Sequence, residues 1–524
     1  MTDFGISVVE RFAPHKCVTI AASSHIGPSL MLQQRMHQLA TAPAKMAQVR
    51  AESIVLGAAI AACAVLFAYL SVARHHGFHT SAYDLAMYDQ AVWNTSQGRW
   101  FAINLLEDTM PGLTNKLGDH VEPILLPLAL LYRIRSNADV LLAVQAMALA
   151  VLIWPLFHSV RWRSESVFLA ALAVALYLIH PAMWNALLFD FHPAALGAAF
   201  LVFALWMMVQ HRRVACVVFA VLAMACKEQV GLMVGMLGAY AVLFYKPERR
   251  LGLALIGIGL TWSIVAFAVI IPACQPSGAS YYLNRYGRLG GSAGEILLAP
   301  ILKPDVVVSI LTSPNRVSYY GDLLLPLGGL PLLGPEMLLP VLPDMLLNTF
   351  SAFRPARTLD AHYAALIAPF LILAAVWGID GLARWLIDKI DRRMVIGIAT
   401  AWLLMFMAAY QIRQYQGFLP LSARYLPTYA PELRSATGLR LAAQIPVDAI
   451  AAAQFNLVPH VSQRQRAHIF PRIDDAEWVF LDTQGSLEPF ESQGEYRAAV
   501  EALRRDPSFE VAGERDGFIL FRRR

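Results

Sequence analysis

Residues Ser53–Val72 read SIVLGAAIAACAVLFAYLSV, twenty residues without a charge. About twenty apolar residues at ~1.5 Å of rise each are needed to cross the ~30 Å hydrocarbon core of a bilayer. In lipid every backbone N–H and C=O must be satisfied within the segment, so such a run is a helix. Lys45 and Arg50 precede it. An excess of cations flanks the cytoplasmic end of a span, so the N-terminus is expected in the cytoplasm. Residues 1–50 are polar and rich in Gln, Ser and Ala, and read as a disordered cytoplasmic tail.

Further apolar runs follow at 121–134, 138–158, 165–182, 193–210, 214–226, 229–245, 251–272, 323–347, 362–385 and 394–410. The chain is 57% hydrophobic and 15% charged, against about 25% charged in soluble domains. The runs are continuous rather than alternating, which argues against a β-barrel. The expected fold is therefore mainly α, a polytopic membrane bundle of roughly 10–12 hydrophobic helices. Five prolines (Pro326, Pro331, Pro335, Pro340 and Pro343) interrupt the 323–347 run, which predicts a kinked segment or a hairpin. The net charge of +5 suits cations held on one membrane face and gives no nucleic-acid surface. Five cysteines form no CxxC pattern and no disulfide framework.

Composition changes after residue 411. Residues 411–524 hold 14 Arg, 14 acidic residues and no Lys. Short apolar stretches at 449–453, 478–481 and 518–521 alternate with turn signals and helical patterns, which predicts a small soluble α/β domain. The expected organisation is a tail at 1–50, a transmembrane domain at 51–411 with a first outer loop at 74–120, and a periplasmic domain at 412–524.

Basic residues cluster at Arg161/Arg163, Arg212/Arg213, Lys246/Arg249/Arg250 and Arg384/Lys389/Arg392/Arg393. All four lie in the cytoplasm if 121–158 crosses the membrane once, its first part being a re-entrant or interfacial helix. Arg133 and Arg135 fit a cytoplasmic turn as well. The first arrangement puts Asp84, Asp89, Asp119, His120, Glu122, Asp190, His192, Lys227, Glu228, Asp360 and His362 on the outer face. Ionisable groups at membrane depth are costly and tend to be functional.

Each of these residues also has a plain structural reading. In Tyr83–Trp93 a helix puts Asp84 and Tyr88 on one face and turns Asp89 away, so the two aspartates are not a dyad. Asp84 serves either as a helix cap or as a general base. Gly118-Asp119-His120-Val121-Glu122 suits a divalent cation held by His120 and Glu122, a phosphate-linked substrate, or a satisfied polar network. In Phe189-Asp190-Phe191-His192-Pro193 the polar residues cap the helix that Pro193 opens, or bind substrate. Lys227-Glu228 neutralises itself or offers its ammonium to a phosphate. Arg354 and Arg357, before His362-Tyr363, suit a pyrophosphate or a lipid headgroup.

These motifs resemble a known family. Tyr83-Asp84-Leu85, Asp89-Gln90, Trp93-Asn94, Gly98, Gly118-Asp119-His120, Phe189-Asp190-Phe191-His192-Pro193 and Lys227-Glu228 together are similar to the bacterial membrane family called domain of unknown function 2079. The likeness runs from about residue 55 to the C-terminus and includes Val458-Pro459-His460 and Phe470-Pro471. That family in turn looks like the GT-C glycosyltransferases, multi-spanning enzymes that take a sugar from a polyprenyl-phosphate carrier. Their catalytic acid lies in the first outer loop. Lipid A aminoarabinose transferases and protein mannosyltransferases carry Asp-Glu there; here Tyr83-Asp84 stands in that place and the second acid is Leu85. Gly98-Arg99-Trp100 matches a later small-Gly-x-Trp stretch.

The resemblance implies Asp84 as catalytic base, with Asp89 the next choice. Asp119, His120, Glu122, Asp190, His192, Lys227, Glu228, Arg354, His362 and Tyr363 are the implied substrate contacts. It further implies an inner-membrane enzyme with a periplasmic active face, a polyprenyl-phosphate-linked sugar as donor and an envelope acceptor. The rival readings are a transporter or flippase, and a non-catalytic envelope assembly protein. Transporters tend to show inverted repeats, and no internal repeat is evident.

Overall fold

The computed structural model describes residues 28–107, 109–276, 281–415, 422–423, 426–429 and 433–524. It has two compact units, residues 1–63 and 64–524. The first ends within the helix Pro28–His76; the tail expected at 1–50 lies outside the described residues as far as residue 27. Among the described residues, five helical segments are long and apolar enough to cross a membrane: Arg50–His76, Asp139–Ser164, Lys246–Cys274, Ala368–Trp385 and Arg392–Arg413. A sixth is Val167–Ile179 plus Pro181–Leu188, bent by 48° at the break before Pro181. Pro193–Val209, Arg213–Met224, Val230–Phe244 and Ala293–Leu302 are shorter apolar helices. The fold is a polytopic helical membrane protein with a small C-terminal sheet.

The 121–158 stretch resolves into a short helix, Leu125–Tyr132, and one long span from Asp139. The proline-rich 323–347 run is neither a kinked helix nor a hairpin. It is a staircase of 3₁₀ turns (Leu325–Leu327, Leu330–Leu333, Pro335–Met337, Leu339–Val341) leading into the helix Leu342–Phe350. Each proline lacks the N–H that an α-helix would need four residues on, so only single turns form between them.

The helix ends sort by chemistry. Pro193–Val209 has His192 before it and His211/Arg212 after it. Arg213–Met224 begins with a cation and leads to Lys227; Val230–Phe244 follows Glu228 and leads to Lys246. Ala368–Trp385 follows His362 and ends at Arg384. The basic ends meet one another. Arg384 and Arg392 lie 2.9 Å from Asp380 and Arg163 lies 3.5 Å from it. His211 and Arg213 pair with Glu248 at 2.7 and 2.8 Å. The Trp162 and Tyr245 rings, 5.8 Å apart, join the two groups. The four clusters thus share one side, and the candidate site residues occupy the opposite helix ends.

Asp380 is wholly buried, whereas its three arginines are a third to a half exposed. Asp380→Asn is therefore expected to lower the thermal midpoint in detergent, by less than the roughly 3–5 kcal/mol of a fully buried broken pair. Added salt should shrink the difference by screening the arginines.

Glycines let two helices touch near the site. A Cβ on Gly238 or Gly252 would meet the facing backbone carbonyl, and Gly231 and Gly259 repeat this about two turns nearer Glu228. Small residues at such a seam allow the close packing on which helix association in lipid relies. Here they clamp Val230–Phe244 against Arg249–Val265, and Ser263 Oγ donates to the Glu228 carbonyl at 3.3 Å.

The C-terminal sheet has strands β1 (Ala451–Ala453), β2 (Ala467–Ile469), β3 (Trp478–Asp482), β4 (Phe509–Arg515) and β5 (Phe518–Arg523), ordered β2-β1-β3-β5-β4. β1 runs parallel to β2 and β3; β3–β5 and β4–β5 are antiparallel. Asp516-Gly517, both at positive φ, turns β4 into β5, as a tight hairpin requires. Alternate strand residues face opposite ways. Val479, Leu481, Ile519 and Phe521 pack under the helix Gln493–Arg505 through Tyr496, Val500 and Leu503. Phe480, Phe518 and Leu520 share a second core with Phe78, Ala82, Ala86 and Leu105 from the segment after the first span. Apolar cover on both faces explains why these strands read as continuous apolar runs.

Candidate functional site

The segment after the first span carries a single π turn, Ala82–Ala86, that runs into the helix Met87–Ser96. Ala82 and Ala86 belong to the core shared with the sheet, while Leu85 and Tyr88 belong to the core of the membrane helices. Wedged this way, the turn directs Asp84 and Asp89 to different places, as helical spacing predicts.

Asp84 Oδ1 lies 3.0 Å from His192 Nε2, and its Oδ2 lies 3.1 Å from the Ser81 hydroxyl. Its side chain keeps 26% of its surface exposed, enough for a reactant to reach it. The capping alternatives fail here. The π turn has no side-chain cap, and His192, although at the N-cap of Pro193–Val209, makes no cap hydrogen bond. Its ring is instead stacked on His362 with centroids 3.4 Å apart, and edged by Tyr88 and Phe189. Burial, backed by His192 and Lys227, holds the His362 imidazole well below its usual range, so the stack does not place two cations face to face.

Asp89 is elsewhere. It is buried and held by Tyr132 and Ser462 hydroxyls, each at 2.6 Å, and by the Gln463 amide at 2.9 Å. Burial pushes its carboxyl up to about 6 against those three donors. The structure therefore uses Asp89 to fasten the C-terminal segment to the helix Met87–Ser96 and keeps it away from Asp84's open face.

A second polar group adjoins the first through Tyr88. The Tyr88 hydroxyl donates to Glu122 Oε1 at 2.9 Å. Lys116, with no exposed surface, donates to Asp119 Oδ2 and Glu122 Oε2, both at 2.7 Å, and lies 4.7 Å from the Tyr88 ring centroid. Tyr282 donates to Asp119 Oδ1 and stacks on His120 at 4.7 Å. His120 Nδ1 lies 2.9 Å from Glu228 Oε1, and the Val121 N–H donates to Glu228 Oε2 at 3.1 Å. Burial opposes ionisation of Glu228, but the charge and hydrogen bond of His120, with Lys227, outweigh it and bring the carboxyl down to about 2.

This geometry corrects the metal assignment. His120 and Glu122 turn to different partners, and the Lys116 ammonium occupies the place between Asp119 and Glu122 that a cation would take. Among the described residues no three His, Cys, Asp or Glu side chains are grouped to hold a metal ion. The donor set does not fit one.

Lys227 and Glu228 make no direct ion pair with each other. Glu228 faces His120, whereas Lys227 lies 6.0 Å from the Tyr363 ring centroid and makes no ion pair among the described residues. Lys227 is 9% exposed and lines a small recess with Ala194, Gln229, Asp344, His362, Tyr363 and Leu366. Burial pushes the Asp344 carboxyl up to about 6, partly offset by Lys227. Arg285 lies 4.2 Å from the Tyr282 ring and 4.3 Å from that of Phe353, and hydrogen-bonds Tyr363. Arg354 is exposed on the 3₁₀ turn Arg354–Arg357; Arg357 is buried and spent on the Ser351 and Phe353 carbonyls.

The candidates thus form one continuous arrangement: Asp84, Asp190, His192, His362 and Tyr363 around the open acid, Lys227 in the recess, and Asp119, His120, Glu122 and Glu228 behind Tyr88. Sequence reasoning missed Lys116, Tyr282, Arg285 and Asp344. Lys116-x-x-Asp119 had a legible i, i+3 spacing; Arg285 sits in a polar outer loop with nothing to single it out.

No curated protein matches the chain. Among solved structures it is similar to ArnT from Cupriavidus metallidurans bound to undecaprenyl phosphate, at 15% identity and a TM-score of 0.48, covering 88% of this chain and 97% of that one. The apo form of the same protein gives 15% identity and a TM-score of 0.46, covering 90% and 98%. At these scores neither likeness speaks to activity. The family model described as predicted membrane protein (DUF2079) matches residues 74–520, most of the chain and every candidate residue above, and the chain belongs to that family.

Proposed function

We propose that this protein is an integral-membrane glycosyltransferase that moves a sugar from a polyprenyl-phosphate donor to an acceptor at the periplasmic face of the inner membrane. One observation carries the reading: an accessible carboxylate oriented by a histidine, Asp84–His192, shares a wall of stacked rings with a nearly buried ammonium, Lys227, that makes no direct ion pair among the described residues. An unpaired buried cation is costly unless an anion completes it. A carboxylate base beside an anion site is what glycosyl transfer from a phosphate needs.

Asp84 takes the proton of the acceptor hydroxyl or amine as that group attacks the anomeric carbon. The bond to the phosphate oxygen breaks, and the phosphate leaves with the electron pair. Lys227 and Arg285 meet the charge that develops there. His192 orients Asp84, and His362 fixes the His192 ring by stacking. The donor's lipid tail lies among the helices, which accounts for an enzyme built into the bilayer. The cation-rich helix ends on the far side support a site outside the cytoplasm by the positive-inside rule.

The test is release of polyprenyl phosphate from a set of polyprenyl-phosphate hexoses and pentoses by the purified protein in liposomes, with envelope lipids as acceptors. Wild type is expected to consume at least one donor. Lys227→Met is expected to lose 10²-fold or more, the order seen when one transition-state donor is removed. Consumption of no donor, or equal rates for both proteins, would overturn the reading.

A further inference from the structure

The Ser81 hydroxyl lies between two carboxyl groups, 3.1 Å from Asp84 Oδ2 and 2.8 Å from Asp190 Oδ2. The Ser81 N–H also donates to Asp190 Oδ2 at 2.8 Å. A hydroxyl has one proton to donate. If both carboxyl groups were ionised, one of the two short contacts would set lone pair against lone pair. A single extra proton removes the conflict, and the surroundings decide where it sits. Asp84 is partly exposed and faces His192 Nε2. Asp190 is 2% exposed, and its Oδ1 is buried without a hydrogen-bond partner. An orphaned oxygen is tolerable on a neutral acid and expensive on a carboxylate.

The backbone is strained to make this contact. Asp190 sits at φ +150°, a region that side-chain-bearing residues rarely adopt. Gln145, fully buried in the span from Asp139, holds it there: its amide donates to the Asp190 carbonyl at 2.7 Å and accepts from the His192 N–H at 2.7 Å. One side chain thus fixes both partners of Asp84. Arg74 is the cation facing Asp190, and Asp84 is the anion; the 139–151 helix brings only the neutral Gln145. Burial, reinforced by the Asp84 charge, pushes the Asp190 carboxyl up to about 8.

We propose that Asp190 is a neutral carboxylic acid in the working protein, donating to Ser81 Oγ while Ser81 donates to Asp84 Oδ2, so that the pair shares one proton and Asp84 is kept as the ionised partner. Asp190 is a positioning residue; Asp84 alone meets the acceptor. The role given to Asp84 rests on the proposed function, whereas the location of the proton does not.

Infrared difference spectroscopy of the whole protein in lipid nanodiscs at pH 7 tests this without any substrate. Asp89 and Asp344, brought to about 6, are mostly ionised at that pH. Wild type should show the carbonyl stretch of a protonated carboxylic acid. Asp190→Asn should abolish it, Asp84→Asn should weaken it and lower the pH at which it fades by removing the neighbouring charge, and Ser81→Ala should shift its frequency by removing its acceptor. The band should fade as pH is raised through about 8, and in the transfer assay Asp190→Asn should move the alkaline limb of the pH–rate profile upward. A band lost in Asp84→Asn but kept in Asp190→Asn, or no band in wild type, overturns the proposal. The expected bands together with full transfer by Asp84→Asn would leave the shared proton standing and remove Asp84 as base.

Discussion

Asp84→Asn should abolish sugar transfer while leaving the protein folded. The substitution keeps the size and the hydrogen bonds available to His192 Nε2 and Ser81 Oγ but cannot accept the acceptor's proton. Removal of a positioned general base typically costs 10²–10⁴-fold in rate. The loss should fall on kcat, with donor KM little changed, because Lys227 and Arg285 lie outside the Asp84 contacts. The check is the liposome assay beside a size-exclusion profile and thermal midpoint matching wild type. A rate within about threefold of wild type would remove Asp84 from the chemistry. Asp89→Asn makes the contrasting control: its effect should appear in the thermal midpoint, since Asp89 anchors Ser462 and Gln463.

The largest stability effect is expected at Lys116. Its ammonium is fully buried between Asp119 and Glu122, and Tyr88 covers it. Lys116→Met would leave two buried carboxylates facing each other. Breaking one buried pair costs roughly 3–5 kcal/mol, a large part of the roughly 5–15 kcal/mol that holds a domain together. The variant should therefore yield little monodisperse protein in detergent. Lys116→Met combined with Asp119→Asn and Glu122→Gln removes the charges along with their partner and should recover most of the yield. Failure of the triple variant to recover would show that the lysine acts through something other than charge. The sign with pH follows from Asp119. Burial opposes its ionisation, but Lys116 and His120 hold it well below the usual carboxylate range. Its stabilisation is thus complete above roughly pH 4 and is lost only as acid protonates it.

Much of this was legible before any coordinates. Continuous apolar runs gave the helices, and the four basic clusters gave their common side, because burying a charge in lipid is costly enough to write itself into the sequence. The separation of Asp84 from Asp89 followed from helical spacing alone. Other features depended on contacts that local pattern does not encode. The proline-rich stretch carried no sign of how its turns would step. The Lys227-Glu228 pair left self-neutralisation and a phosphate contact both open, and only the fold shows His120, more than a hundred residues earlier, taking the glutamate. Asp119-His120-Val121-Glu122 left a metal site, a phosphate contact and a polar network open, because a nearby lysine on a 3₁₀ turn has no sequence signal for pointing inward. Arg285 was lost in a loop whose composition says only that it is polar.

The π turn bearing Asp84 has one more consequence. Ala82 and Ala86 share one core with Phe480, Phe518 and Leu520, all distant from them in sequence. The sheet is thus a brace for the acid, and a substitution that loosens its core, such as Phe518→Ala, reaches Asp84 without touching it.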